Sequence, residues 1–367
     1  MRKPWRNGFE ELLVAAAACV LLCMANPAGG RAGETSSVAK AEKGKVIGLA
    51  FDARVVSNLD RSVAFYKALG FTALPGVNSE WRVAPVMNRL HSTVGAESRM
   101  AKLAINTNIS GKPFTLYLRQ YRGIPQKNWS HLRVWNPPSS HIDLTVPDAD
   151  ALWARLKFAH MLWPLTWGGA LIPLPGETKG SMGYIVDPDG MDVEIVNQSA
   201  ARPPAGGRPG SPANPPGLNH LGLVVISTDQ AKAFYGGLLG EQFPDEPYKW
   251  LSGDFMDAAV GGHGNILRIT YGTWPEAADP SARMRYEIIE YKNQGKTIAP
   301  FRMSDVAANS IGLQVEGLDA LLARLKAAGA PVYSTGGIVR LSDGTRAVVV
   351  RDPDTHAFIE LFETPKK

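Results

Sequence analysis

Four polar side chains in this 367-residue sequence stand in runs that are otherwise mostly aliphatic: His141 in HIDLTV, Glu194 in DVEIV, His220 in LNHLGLVV and Glu360 in FIELFE. A carboxylate turned inward without a partner is costly to bury and drifts toward its protonated form. Glu194 and Glu360 therefore each need a metal ion, an arginine or water, and Arg268 in ILRITYG is one arginine that could pair with Glu360. Histidine supplies a nitrogen donor, although His141, beside Ser139 and Ser140, serves equally as a hydrogen-bonded wall residue. Other chemistries find no support. Both cysteines, Cys19 and Cys23, lie in an N-terminal apolar run, and neither a phosphate-cradling glycine loop with its lysine nor a nucleophile elbow occurs.

The elements that must position these groups come in repeats. HIDLTVPDADALWARLK from His141 aligns without a gap to SIGLQVEGLDALLARLK from Ser310, ten of seventeen positions being identical at an offset of 169. The same offset pairs Phe51 with His220 and Phe65-Tyr66 with Phe234-Tyr235; DPDGMDVEIV pairs with DPDTHAFIEL at 165. Residues 199–217, rich in Pro and Gly, read as a linker between a first domain at 44–198 and a second at 218–364. Each domain holds two cruder half-repeats, an apolar strand followed by a helix and then short strands, which gives βαβββ twice per domain. The helices show ordinary amphipathic spacing: Leu152, Leu156 and Ala159 in one, Leu318, Leu321, Leu322 and Leu325 in its counterpart.

Residues 1–32 read as a signal peptide: Arg2, Lys3 and Arg6, an uncharged run from Leu12 to Ala25, then small residues with cleavage expected after Ala28 or Ala32. Export to the periplasm or medium follows, with no stable membrane insertion once the leader is removed. Its loss takes away four basic and two acidic residues, so the formal charge falls from +5 to +3, which gives no case for a nucleic-acid partner.

The opening strand, NLDRSVAFYKALGF, HIDLTV and the DPDG turn before Glu194, repeated as NHLGLVV, QAKAFYGGLLG, DALLARLKAAGAPV and DPDTHAFIELFE, resemble the vicinal oxygen chelate superfamily. That family includes glyoxalase I, extradiol ring-cleaving dioxygenases and bleomycin-resistance proteins. The resemblance implies an α+β fold of tandem domains, each of two βαβββ units forming a cupped half-barrel sheet. It also implies a divalent iron, manganese or zinc ion held by the first and last strands of the units, with adjacent positions open to two substrate oxygens. Carried over by domain, the ligand positions hold Phe51, Tyr117 or a neighbour, His141 and Glu194 in the first, and His220, Arg268 or a neighbour, Ser310 and Glu360 in the second. Each domain keeps two metal donors, a histidine and a glutamate, while Phe51, Tyr117, Arg268 and Ser310 remain as substrate-contacting candidates. His263 in GGHGN could complete a shell with His220 and Glu360; His356 reads as a turn residue. Trp163, Trp167, Tyr184, Trp274 and Tyr286 could line the pockets.

Two functions follow from the resemblance. One is a metal-dependent lyase or dioxygenase acting on a small oxygenated substrate. The other is a metal-free, bleomycin-resistance-like binder without catalysis, held by the aromatic residues. A small-molecule ligand is the expected partner in both, and a homodimer is compatible with either.

Overall fold

A computed structural model of the chain describes residues 44–75, 80–108, 113–175, 180–197, 216–243, 249–274, 284–294 and 296–365; the expected leader and nearly all of the expected linker lie outside them. Four units follow one another. The first comprises β1 (Lys45–Val55), α1 (Leu59–Ala68), β2 (Thr72–Ala73), β3 (Arg82–Val83), α2 (Pro85–Leu90), β4 (Glu97–Asn106) and β5 (Pro113–Arg122). The second comprises β6 (Ser140–Val146), α3 (Ala149–Phe158), β7 (Ile172–Pro173), β8 (Ser181–Val186) and β9 (Asp192–Asn197). The third holds β10 (Gly217–Val225), α4 (Thr228–Ala231, running on as a π-helix through Leu238), β11 (Leu251–Ser252), α5 (Asp254–Val260), β12 (Ile266–Gly272) and β13 (Arg285–Tyr291). The fourth holds β14 (Asn309–Glu316), α6 (Leu318–Ala327), β15 (Val339–Arg340), β16 (Arg346–Arg351) and β17 (Phe358–Glu363).

Local chemistry accounts for the boundaries. Asn58 caps α1 by accepting from the Arg61 amide, and Asp148 caps α3 by accepting from Ala151, so each supplies an acceptor that the first helical turn lacks. Leu318, Leu321, Leu322 and Leu325 form one buried stripe on α6. Each is worth roughly 1.5–3 kcal/mol as an upper estimate of its apolar burial. On α3 the stripe is Leu152, Trp153 and Leu156; Ala159, expected with them, is the exposed C-cap. The DPDG turn is tied by Asp187 Oδ1, which accepts from the Asp189 and Met191 amides, and Gly190 has φ 85° and packs so close to the Ser130 carbonyl that no side chain fits. In DPDTH the left-handed position falls on His356 (φ 64°), which makes it a turn residue, as expected.

The strands form two curled sheets, as expected for this fold class. The two units of each domain were expected to share one sheet, but the ladders instead join units of different copies, because the first strands pair across the domains. One sheet has the order β15-β16-β17-β14-β1-β5-β4-β2 with β3 on β4, so it is built from the first and fourth units. The other has the order β11-β12-β13-β10-β6-β9-β8-β7, from the third and second. Each sheet is joined at its centre by two first strands running antiparallel, β1 with β14 and β10 with β6. The two seams are in equivalent register: Phe51 lies opposite Gly312 and His220 opposite Asp143, Ala53 opposite Ser310 and Gly222 opposite His141. One apolar core, including Leu49, Phe65, Tyr66, Leu144, Leu221, Tyr235, Trp274 and Leu313, is shared by both sheets and their helices.

Candidate metal centre

Because side chains alternate across a strand, His220 on β10, Glu287 on β13, His141 on β6 and Glu194 on β9 share the concave face of the second sheet. Their donor atoms converge. His141 Nε2 lies 3.1 Å from His220 Nε2, 3.1 Å from Glu287 Oε2 and 3.5 Å from Glu194 Oε2. His220 Nε2 lies 3.3 Å from Glu287 Oε2 and 4.0 Å from Glu194 Oε2. Donors about 2.1 Å from one ion are about 3.0 Å apart at right angles and farther apart at wider angles, so this spacing suits a single divalent cation.

The donor set fits such an ion on a second count. Glu287 Oε2 is buried without a hydrogen-bond partner although two ring nitrogens face it. A cation held between these groups would satisfy that oxygen together with both ring nitrogens. Outer partners fix the donors: Asp143 Oδ2 lies 2.9 Å from His220 Nδ1 and accepts from Asn219 Nδ2 at 2.5 Å, while Tyr184 OH donates to Glu194 Oε2 at 2.6 Å.

Electrostatics separates the four. Burial opposes a charge on His220, but the Asp143 and Glu287 carboxylates outweigh it and push the imidazole up to about 10. Burial likewise opposes charge on Glu287, yet the His220 and His141 rings hold it well below the usual carboxylate range. Glu194 is pushed up to about 7, first by burial and then by Asp143. Its side chain is 12% exposed against 3–5% for the other three, so it is the donor nearest to any incoming molecule.

The first sheet carries the same geometry with different residues. Phe51, Tyr117, Ser310 and Glu360 occupy the positions of His220, Glu287, His141 and Glu194. Phe51 meets Tyr117 edge-on at 5.1 Å and stacks on Phe362 at 5.7 Å. Glu360 is not with His220, as the domain-by-domain reading had it, but is clamped by Arg119, whose Nη1 and Nη2 donate to its two oxygens at 2.5 and 3.2 Å. Ser310 Oγ donates to the same carboxylate at 2.5 Å, and His91 Nε2 lies 3.4 Å away. Arg119 outweighs the burial that would raise Glu360 and holds it well below the usual carboxylate range, whereas burial and Arg119 lower His91. Neutral His91 donates from Nε2 and accepts from Tyr121 OH at Nδ1, 2.9 Å. A guanidinium thus stands where the second sheet gathers its donors for a cation.

The structure therefore brings together His141, Glu194 and His220 of the expected donors and adds Glu287. Arg268 is not the partner of Glu360. It lies on β12, one strand away from the position assigned to it, and pairs with Glu290 and Asp229. His263 is exposed and packs on Trp167 at 4.4 Å. Glu287, Arg119 and His91 were missed. The repeat carried a signal for Glu287, since an offset of 169 from Tyr117 lands one residue short of it, on Tyr286.

Residues 217–359 match the family described as Glyoxalase/Bleomycin resistance protein/Dioxygenase superfamily. Among solved structures, glyoxalase I from Zea mays superposes with a TM-score of 0.54 at 16% identity, over 87% of this chain and 92% of that one. A point mutant of the same maize enzyme gives 0.53 at 15% identity, over 88% and 94%. No curated protein sequence matches the chain. The superfamily match thus covers residues 217–359, in the second copy, and the likeness to the maize enzyme shows that the two tandem copies carry the vicinal oxygen chelate fold.

Proposed function

We propose that this protein is a metal-dependent enzyme that moves a proton on the carbon next to a carbonyl in a small substrate bound through two adjacent oxygens. The observation that carries this reading is the convergence of His141, Glu194 and His220, whose donor atoms all lie within 4.8 Å of one another, with Glu287 Oε2 close to both rings. A divalent ion there supplies a Lewis acid toward carbonyl and hydroxyl oxygens. Glu194 is the acid–base group: it is the most exposed of the four and so the carboxylate nearest to an incoming substrate. It takes the proton from one carbon and returns it to the neighbouring one, so atoms balance with no outside oxidant. Tyr184 OH keeps that carboxyl oriented. His220, aligned by Asp143, and His141 hold the centre in place.

The test is hydrogen exchange. Protein loaded with zinc, manganese or iron and incubated with an α-hydroxyketone in D2O should place deuterium at the carbon next to the carbonyl, read by NMR, and Glu194→Gln should remove the exchange while metal remains bound. Oxygen uptake with a catechol and no exchange with the ketone would replace the reading with a dioxygenase.

A further inference from the structure

The concave wall beside the candidate centre carries a cation that the four donors do not use. Arg285 opens β13 and, two residues before Glu287, faces the same side of the sheet, about 6.5 Å along the strand. Its guanidinium lies over the Tyr271 ring, 5.6 Å from the centroid, and Tyr271 stands opposite Glu287 on the next strand. Nη2 donates to Asn219 Oδ1, a neutral acceptor, and no carboxylate among the described residues lies within ion-pair distance of Arg285. Nε is buried without a hydrogen-bond partner. On the ladder its neighbour on β10 is His220, and the partly buried Tyr271 ring covers it from β12. Arginine is the residue whose planar fork matches a carboxylate, and a partly exposed one with no carboxylate partner, beside an aromatic ring, is set to receive an anion.

We propose that Arg285 anchors a carboxylate on the substrate, so that the site takes small anionic molecules whose acid group lies about one ring's width from the pair of oxygens at the centre. This inference rests on the metal reading above for the position of those oxygens. Asn219 links the anchor to the centre, because it holds Asp143, which holds His220.

The experiment compares two probes that differ only in charge, 3,4-dihydroxybenzoate and 3,4-dihydroxybenzamide, by calorimetric titration of the full chain with and without zinc. The acid should bind at least tenfold tighter than the amide. Arg285→Gln should abolish that ratio while the amide affinity stays within twofold and zinc stoichiometry is unchanged. Equal affinity of the two probes for the wild-type protein, or binding of neither, overturns the proposal without any variant. Parallel losses for both probes together with lower zinc content in Arg285→Gln also overturn it, because they mark a group that only positions Asn219 and Asp143. Failure to take up zinc would defeat the metal reading separately, and the acid-over-amide ratio of the zinc-free protein would still decide Arg285.

Discussion

Two seam glycines, each facing a ring across its ladder, give a matched perturbation. A Cβ built on Gly222 would fall under 3.0 Å from Cε1, Nδ1 and Nε2 of His141, and one built on Gly312 would fall as close to the ring of Phe51. Ordinary contact begins at 3.4 Å, so either ring must retreat by at least about 0.4 Å. A metal–ligand distance tolerates only about 0.2 Å. Gly222→Ala should therefore displace one imidazole donor and weaken metal binding by about 10- to 100-fold, or roughly 1.4–2.8 kcal/mol. Gly312→Ala imposes a similar overlap at a cluster closed by Arg119 and should leave metal affinity within twofold. The assay is competition for zinc against a chromophoric chelator, with circular dichroism to compare the folded state. Wild-type affinity in Gly222→Ala, or an equal loss in Gly312→Ala, would refute the placing of the metal centre on the second sheet.

Further outcomes are expected. Arg119→Ala leaves Glu360 charged and buried, and should cost about 3–5 kcal/mol in denaturant unfolding, while replacing both residues by leucine should recover most of it. Because the folded Glu360 titrates below its unfolded value of 4.5, the pair's contribution is present above that pH and is lost on acidification through the lower folded value; an acid titration unchanged by Glu360→Gln would contradict this. In the metal-free protein His220 carries a proton up to about pH 10 and Glu194 one up to about 7, and both must leave on ligation. Calorimetry in buffers of different ionisation enthalpy should thus find about two protons released per metal at pH 6 and about one at pH 8, and none at pH 8 would disprove the His220 assignment. The raised His220 value also stabilises the metal-free fold, fully below 6.5 and decreasingly as the pH climbs to about 10. Finally, we propose export through the leader, so mass spectrometry of extracytoplasmic material should find a chain starting near Gly29 or Gly33; Met1 at its start would refute cleavage.

The sequence by itself determined the duplication, the βαβββ order of the second and fourth units (the first and third add the helices α2 and α5), and the residues His141, Glu194 and His220 of the candidate centre. These are local or periodic properties: a period of two places His141, Glu194 and His220 on one face of each strand, and an offset of 169 exposes the copies. The tertiary structure alone decided which units share a sheet. All four first strands are apolar and nearly interchangeable as partners, so β6 can meet β10 or β14 with similar ladders, and long-range closure and packing of the shared core select between them. That choice gathers His141 and Glu194 with His220 and Glu287 and sends Glu360 to Arg119, 241 residues away in sequence, where no spacing could announce the pair. The same pattern of inward side chains therefore becomes a prospective cation site on one sheet and an internal ion pair on the other, because the residues that supply the positive charge come from strands that only the fold brings together.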